Sequence, residues 1–242
     1  MIPYLGNKSI LSKFILPHCP KNPDFWIEPF GGSMGLFFTL NLSEYPDTQF
    51  IYNDINPLNS NLFEQLKMDK FRKRVINTNV TESLFLESYL KLEHRFKEER
   101  ALAWLIILSC GQSKDLMSKK YRGNAGFEVV KYKLPEYINH LDRLKVFNLD
   151  YKKIFQKYAN RPNVFFYCDP IYKGYEDYYL HHNFNSDSHA ELRDILSNVE
   201  SSWGLSYYDF PEMKEWYKDC KILSKKHNIS EEFLITNLIQ IQ

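Results

Sequence analysis

Short apolar runs that end in a glycine turn or a polar loop constrain the fold of this chain most strongly. A run at residues 24–27 is followed by residues 29–35, which contain three glycines, and a run at residues 49–52 is followed by Asn53-Asp54. Apolar runs of about four to eight residues between turn signals are typical of buried strands. We therefore predict a strand, a glycine turn, a helix from the apolar residues 36–38, and a second strand that ends at a carboxylate.

The alternation of strands and helices returns in the last third of the chain. Strands are predicted at residues 164–167 and 202–207. Between them, residues 188–199 predict a helix with Ser188 as its N-cap, because Glu191 three residues later would complete a capping box.

The remaining predicted elements complete an α/β pattern. A helical pattern covers residues 58–66, and residues 221–223 and 231–237 predict a terminal hairpin. With 242 residues, of which 44% are hydrophobic, the chain is long enough to bury one sizeable core. We therefore predict an α/β fold with helices on both faces of a sheet.

The middle of the chain has a different character. Helical patterns cover residues 82–99 and 101–109, without the strand signals seen elsewhere. We predict a mainly helical subdomain over residues 67–140, inserted into an α/β domain formed by residues 1–66 and 141–242.

The charge of the chain is nearly balanced, with 31 Lys and Arg against 30 Asp and Glu. A net charge of +1 argues neither for nor against an anionic partner, so the distribution must decide. Basic residues concentrate within residues 67–74 and 114–133. For each cluster two interpretations stay open: an ordinary solvated surface, or a surface that binds phosphate groups.

Several classes of protein are disfavoured. The longest apolar run, residues 101–108, is far shorter than the roughly 20 residues that cross a bilayer, and the first residues lack a signal-peptide pattern. The four cysteines form no C-x-x-C pair, which argues against a zinc site or a disulfide framework. We expect a cytoplasmic protein with reduced thiols, no membrane segment and no metal.

Three glycines lie where an open α/β sheet binds ligands, just beyond the carboxyl end of a strand. The spacing of Gly31, Gly32 and Gly35 differs from the G-x-G-x-x-G pattern of dinucleotide-binding proteins, so the glycines alone do not distinguish a binding loop from a plain turn. Asp54 strengthens the case for binding, because a carboxylate at the end of the next strand can accept hydrogen bonds from both hydroxyls of a ribose. The pattern favours a cofactor that contains a nucleoside.

A second group of polar residues, Asp169-Pro170-Ile171-Tyr172, follows the strand at residues 164–167 and is predicted at the same edge of the sheet. Asp169 can accept one hydrogen bond from an exocyclic amine, and the Pro170 carbonyl can accept a second. Tyr172 can supply a face for stacking. The tetrad alone could be an ordinary loop, and its place at the sheet edge is what favours a site.

These motifs resemble those of the Dam-like (alpha-group) DNA adenine-N6 methyltransferases, which use S-adenosylmethionine. Four segments match in the family's order: Pro3-Tyr4-Leu5-Gly6-Asn7-Lys8, Glu28-Pro29-Phe30-Gly31-Gly32-Ser33, Asn53-Asp54-Ile55-Asn56 and Asp169-Pro170-Ile171-Tyr172. Residues 232–237 are similar to the family's closing strand. The resemblance spans nearly the whole chain, and residues 67–140 lie where the family places its DNA-recognition domain.

The resemblance implies a Rossmann-like methyltransferase sheet and methyl transfer from S-adenosylmethionine to the N6 amine of an adenine flipped out of double-stranded DNA. The implied catalytic residues are Asp169, Pro170 and Tyr172. The implied cofactor-binding residues are Tyr4, Lys8, Phe30, Gly31, Gly32, Asp54, Asp150 and Asp169. With this context the basic middle of the chain is interpreted as DNA-facing, through Lys114, Lys119, Lys120, Tyr121, Arg122 and Asn124. A restriction endonuclease partner in the same system is a further implication.

One departure from the family pattern leaves alternatives open. The tetrad of the family normally has a second proline where this chain has Ile171, which restores an N–H group and frees the backbone angle φ. A less preorganised loop lowers the rate without abolishing it. The alternatives are a catalytically weakened relative that binds cofactor or DNA, and an adenine-N6 methyltransferase that acts on RNA. A nicotinamide-dependent dehydrogenase is disfavoured by the glycine spacing.

Overall fold

The computed structural model describes residues 8–112, 119–178, 184–227 and 230–238. Its seven strands form one mixed sheet in the order β3-β2-β1-β4-β5-β7-β6. The strands are β1 Phe25–Glu28, β2 Gln49–Asn53, β3 Leu144–Phe147, β4 Val164–Cys168, β5 Ser202–Tyr207, β6 Lys221–His227 and β7 Ser230–Thr236.

Ten α-helices are present in the described part of the chain. They are α1 Ser12–Ile15, α2 Pro57–Leu66, α3 Asp69–Asn77, α4 Glu82–Ser88, α5 Lys97–Cys110, α6 Ala125–Lys133, α7 Ile138–Asp142, α8 Tyr151–Tyr158, α9 Ser186–Asn198 and α10 Met213–Trp216. Within the ranges described, no helix has the length and apolar character needed to span a membrane.

The central strands of the sheet are parallel. Strand β1 pairs in parallel with β2 on one side and β4 on the other, with Phe25 opposite Gln49 and Val164. Strand β4 also pairs in parallel with β5, whereas β7 is antiparallel to both β5 and β6. Every residue of β4 is buried, as expected for a strand covered on both faces. The mixed sheet and its helices confirm the predicted α/β fold class.

The chain divides into two compact units. The helical unit comprises residues 1–9, 32–40 and 56–148, and the sheet unit comprises residues 10–31, 41–55 and 149–242. The helical unit contains the segment predicted as an insertion, together with residues on either side of it. The assignment of residues 67–140 to a target-recognition subdomain stays a prediction.

The helix predicted from residues 36–38 is wrong. Those residues form only a short 3-10 turn, Phe37–Thr39, in which the hydroxyl of Thr39 donates to the Leu36 carbonyl oxygen at 2.7 Å. Positive φ angles at Gly32 (48°) and Met34 (50°) keep the preceding backbone out of the helical region. Leu40 is already extended, so the turn has no room to lengthen.

Two helix boundaries also differ from the predictions. The helical pattern over residues 82–99 is interrupted after Lys91, and α5 begins only at Lys97, after an extended Phe96. Helix α9 begins at Ser186, and its N-cap is Asn185. Asn185 accepts hydrogen bonds from the backbone at Asp187 and Ser188, and Ser188, predicted as the N-cap, closes the capping box from within the helix.

The helical unit is built around α5, whose residues Ala101–Leu108 are all buried. Helix α6 approaches α5 so closely at Gly126 that a Cβ atom there would overlap the backbone oxygen of Ser109. Trp104 of α5 also donates its indole N–H to the Asn59 side chain at 2.8 Å, which links α5 to α2. Close backbone contact and one buried hydrogen bond therefore hold three helices together.

We expect Gly126→Ala to destabilise the protein by about 1–3 kcal/mol, because two helix backbones must separate to admit one methyl group. An unhindered glycine-to-alanine change inside a helix stabilises by roughly 0.5–1 kcal/mol, so the sign of the effect is diagnostic. Urea unfolding followed by circular dichroism measures it. Val129→Ala, at an exposed position of the same helix, serves as the control. A more stable Gly126→Ala protein contradicts the close approach.

Candidate active site

The sheet unit has a reversal of strand order between β1 and β4. The chain passes from β1 to β2 on one side of β1 and later returns to form β4 on the other side. Because the pairing is parallel, with Ile27 opposite Phe166, the carboxyl ends of both strands lie at the same edge. Such a crevice is where open α/β sheets bind their ligands. The structure thus brings the glycine loop and the Asp169 tetrad to one edge of the sheet.

Asn53, the last residue of β2, fixes the backbone around this edge. Its side-chain amide nitrogen donates to the carbonyl oxygens of Pro29 and Leu149, each at 2.9 Å, and its amide oxygen accepts from the Leu149 N–H at 2.9 Å. The carbonyl oxygen of Asn53 accepts from the Gly31 N–H at 2.7 Å. The buried Asn53 therefore ties together the glycine loop, the end of β2 and the residue that precedes Asp150.

Gly31 lies against the ring of Tyr52, and a Cβ atom at this position would overlap the ring carbons. The Tyr52 hydroxyl lies 3.5 Å from a carboxylate oxygen of Asp54, and the Asp54 residue is only 8% exposed. Glycine is therefore required for this close approach of the loop to β2. The glycine loop and the carboxylate at the end of β2 are therefore neighbours.

Phe30 and Asp150 also belong to the sheet unit. The Phe30 ring packs against Tyr151, with centroids 5.0 Å apart, and edge-on against Phe184 at 5.5 Å. Asp150 is the N-cap of α8, where its side chain accepts from the Lys152 N–H at 2.9 Å. Asp150 thus has a structural role as a cap, which is the commoner role for an aspartate between a strand and a helix.

The tetrad follows β4 directly. Asp169 is partly exposed, Pro170 is buried, and Tyr172 is 8% exposed. The Tyr172 hydroxyl donates to a carboxylate oxygen of Asp169 at 3.2 Å and makes a shorter hydrogen bond to Glu232 of β7. Burial raises the pKa of Tyr172 well above its usual value, and the nearby charges of Asp169 and Glu232 raise it further. The phenol is therefore a hydrogen-bond donor throughout the physiological pH range.

An aromatic cluster surrounds Tyr172. Tyr207 of β5 stacks on its ring with centroids 5.2 Å apart and planes 21° apart, and Tyr208 packs edge-on at 4.5 Å. Tyr175, which is more exposed, packs edge-on against Tyr208 at 5.6 Å. The ring of Tyr172 is therefore largely enclosed by aromatic side chains.

His189 of α9 joins this cluster to the segment after the tetrad. Its Nε2 lies 2.8 Å from a carboxylate oxygen of Glu176, and its Nδ1 contacts the Tyr207 hydroxyl. Burial lowers the pKa of His189 below its usual value, even though Glu176 opposes this shift. A neutral imidazole that donates from Nε2 and accepts at Nδ1 satisfies both partners.

The remaining predicted residues belong to the helical unit or lie outside the described residues. Lys8 is buried, and Gly32 has a positive φ of 48°. Lys119, Lys120 and Arg122 are exposed. Tyr4 and Lys114 lie outside the described residues.

Backbone pairing positions the exposed basic residues. The Gln112 N–H donates to the Lys120 carbonyl oxygen at 3.0 Å, and the Arg122 N–H donates to that of Cys110 at 2.8 Å. Between them, Tyr121 has its ring against Phe85 and its hydroxyl 3.4 Å from the Val80 carbonyl oxygen. Tyr121 thus anchors the segment to α4 and the loop before it. Asn124 occupies the N-cap position of α6 without a side-chain capping bond.

The earlier basic cluster, residues 67–74, is engaged in ion pairs within the helical unit. Arg74 contacts Glu98 at 3.0 Å and Glu99 at 2.6 Å, and Lys73 contacts Asp69 at 2.8 Å. Arg74 therefore joins α3 to α5, whereas Lys73 pairs within α3. For this cluster the structure favours the interpretation as an ordinary surface.

A family model of the D12 class N6 adenine-specific DNA methyltransferases matches residues 4–230. The chain belongs to this family. It is therefore an enzyme that depends on S-adenosylmethionine and acts on adenine in DNA, as the motifs predicted. No curated protein matches its sequence.

Among solved structures, this methyltransferase is similar to the rRNA methyltransferase aviRa from Streptomyces viridochromogenes. The likeness covers 98% of this chain and 87% of the other, with 13% sequence identity and a TM-score of 0.45.

Three polar residues of the methyltransferase were missed by sequence reasoning. Asn53 stands in the matched ribose segment, where only its neighbour Asp54 was considered. Glu232 of β7 contacts Tyr172, which it follows by 60 residues, and His189 of α9 contacts Tyr207, the ring that stacks on Tyr172. Glu232 does stand in the segment similar to the family's closing strand, but nothing in the local pattern pairs it with the tetrad.

We expect Asn53→Asp to lower the free energy of unfolding by about 2–4 kcal/mol, although the two side chains have nearly the same shape. The change replaces two donated hydrogen bonds by a carboxylate oxygen that faces the carbonyl oxygens of Pro29 and Leu149. Urea unfolding gives the difference, and Asn160→Asp at an exposed position is the control. Equal stabilities of the two variants would refute the role given to Asn53.

Proposed function

We propose that this methyltransferase acts on an adenine flipped out of double-stranded DNA, with Asp169 and Pro170 receiving the exocyclic amine. The observation that carries the proposal is the position of the tetrad, which begins at the carboxyl end of β4 beside the glycine loop that follows β1. An amine held here lies at the same edge of the sheet as the residues suited to a nucleoside cofactor.

The residues of the sheet unit fit S-adenosylmethionine. Gly31 lets the loop backbone lie directly against the Tyr52 ring, where a Cβ atom would clash, and the buried carboxylate of Asp54 is suited to the two hydroxyls of a ribose. Phe30 supplies an aromatic wall. When bound, the cofactor supplies a methyl group on a sulfonium sulfur. Binding roles for Tyr4, Lys8, Gly32 and Asp150 stay predictions from the family resemblance.

Asp169 and Pro170 can activate the amine without a metal or a covalent intermediate. The lone pair of the adenine amine is delocalised into the ring, which makes the nitrogen a poor nucleophile. Hydrogen bonds from its two hydrogens to the Asp169 carboxylate and the Pro170 carbonyl draw the lone pair out of conjugation. The same two acceptors stabilise the positive charge that grows on the nitrogen, so their effect is largest in the transition state.

Base flipping is required because the amine cannot reach this edge of the sheet from inside a duplex. Tyr172 is the proposed stacking partner of the flipped base, supported by the Tyr207 ring behind it. Its low exposure means that base entry is coupled to movement of the surrounding aromatic side chains.

For DNA contact we propose the exposed cations Lys119, Lys120 and Arg122 of the helical unit. Neutralisation of phosphates by these residues makes affinity fall as salt concentration rises. Lys114, Tyr121 and Asn124 stay predicted DNA-binding residues, although the hydroxyl of Tyr121 is within hydrogen-bond distance of the Val80 carbonyl oxygen.

We also propose a cytoplasmic location, where DNA is accessible. A restriction endonuclease partner stays a prediction from the resemblance.

We expect transfer of labelled methyl groups from S-adenosylmethionine to unmethylated genomic DNA, with N6-methyladenine as the product on nucleoside analysis. Asp169→Ala lowers the rate by about a hundred- to a thousandfold, because a preorganised acceptor for the amine is lost. Asp209→Ala, at an exposed position after β5, is the control. Methyl transfer by Asp169→Ala at the rate of the wild type would exclude Asp169 as the acceptor of the adenine amine.

Matched DNA and RNA oligonucleotides in competition separate the two possible substrates. We expect methylated DNA, and exclusive methylation of RNA would assign the chain to the alternative reaction. Cofactor binding with no product at any enzyme concentration would identify a binding-only relative.

The change Ile171→Pro restores the usual tetrad of the family, and we expect it to raise kcat about two- to fivefold. This factor assumes that proline reduces the conformational entropy of the free loop by roughly the 0.4–1 kcal/mol that it contributes to folding at a compatible position. Ile171→Ala removes the side chain without fixing φ and serves as the control. A fall in kcat for Ile171→Pro alone would mean that the native loop conformation is incompatible with proline at this position.

A further inference from the structure

The hydroxyl of Tyr172 has two carboxylates within reach, and the reaction described above uses only one of them. It donates to Asp169 at 3.2 Å, and its contact with Glu232 is the shorter of the two. A distance of 3.2 Å is longer than the usual 2.5–3.0 Å for hydrogen bonds between oxygens. The main acceptor of the phenol is therefore Glu232.

Sheet pairing fixes Glu232 beside the tetrad. Glu232 is buried on β7, whereas the preceding Glu231 is exposed, as expected when successive side chains of a strand point to opposite faces. Strand β7 is antiparallel to β5, with Phe233 opposite Tyr207. Since Tyr207 stacks on Tyr172, the same pair of strands positions both the ring and its acceptor.

A phenol has one hydrogen, so it cannot donate at full strength to two carboxylates at once. The raised pKa of Tyr172 keeps this hydrogen in place. If the hydrogen turned toward Asp169, it would occupy an acceptor site on that carboxylate and withdraw some of its negative charge. The adenine amine would then compete with Tyr172 for the same oxygen.

We propose that Glu232 is a positioning residue for methyl transfer: it holds the hydroxyl hydrogen of Tyr172 and thereby keeps the Asp169 carboxylate available to the adenine amine. The inference rests on the proposed function of Asp169. Glu232 touches neither the base nor the cofactor in this proposal and acts only through Tyr172.

The first test is Glu232→Gln, which retains the size of the side chain and removes its charge. The phenol then turns to Asp169, the stronger remaining acceptor, and we expect kcat to fall about ten- to a hundredfold. KM for S-adenosylmethionine and for DNA should change less than about threefold, because ground-state binding does not depend on this hydrogen. Glu231→Gln removes the same charge from the exposed neighbour and is the matched control.

The decisive measurement repeats Glu232→Gln in a Tyr172→Phe background, where no hydroxyl exists. The activity of Tyr172→Phe sets a new baseline, from which the added Glu232→Gln change should lower kcat less than about twofold. Single-turnover reactions with excess enzyme extend the measurement to slow variants. A similar loss in both backgrounds would overturn the proposal, because it would mean that Glu232 acts independently of the Tyr172 hydroxyl.

Glu232→Asp supplies an independent comparison that does not need the Tyr172 variant. It retains the charge and changes the length of the side chain, so we expect a higher kcat than for Glu232→Gln. The reverse order overturns the proposal, since it would show that side-chain size matters more than acceptor charge. Thermal unfolding and cofactor binding confirm that each variant is folded.

Failure of this inference is distinguishable from failure of the proposed function. If Asp169→Ala is inactive and Glu232→Gln has the activity of the wild type, only the role of Glu232 is excluded. If Asp169→Ala retains full activity, the role of Asp169 as amine acceptor is excluded, and the inference for Glu232 is excluded with it.

Discussion

The hydrogen bonds of Asn53 are the interaction on which the candidate site depends. Parallel strands bring their loops to one edge of a sheet, but strand pairing alone does not fix how those loops lie relative to one another. Asn53 does so by joining Pro29, Leu149 and Gly31 through its side chain and its carbonyl oxygen. Because Asn53 itself is buried, a hydrogen bond lost from its side chain leaves a polar group in the interior unsatisfied.

A second set of polar groups, some buried and some partly exposed, organises the other half of the site. Asp169, Tyr172 and Glu232 share one hydroxyl, while His189 links Glu176 to Tyr207. The two groups meet where Tyr207 stacks on Tyr172. Where the surroundings have a low dielectric constant, a hydrogen-bond network with an unpaired polar group lowers the stability of the fold. A network in which every group is paired restricts the side chains to one arrangement. The aromatic rings therefore occupy defined positions although their hydroxyls are polar.

The sequence was a good guide to the strands and a poor guide to contacts across the fold. Strands β4 and β5 were predicted to within a residue, because buried strands appear as continuous apolar runs. The helix predicted at residues 36–38 does not form because Gly32 and Met34 have positive φ angles. A positive φ at a methionine has no local sequence signal. The contact of Glu232 with Tyr172 arises only when β7 pairs with β5, which a linear pattern does not reveal.

The order of strands in the sheet has a consequence for the folding pathway of the chain. Strand β7 lies between β5 and β6 in the sheet but follows both in sequence. In a folding intermediate in which β7 has not yet docked, one edge of β5 lacks its neighbour and β6 lacks the strand with which it pairs. An open edge of this kind invites pairing with other chains. Slow docking of β7 therefore leaves the chain open to aggregation at a stage when the parallel strands β1, β2, β4 and β5 can already be paired.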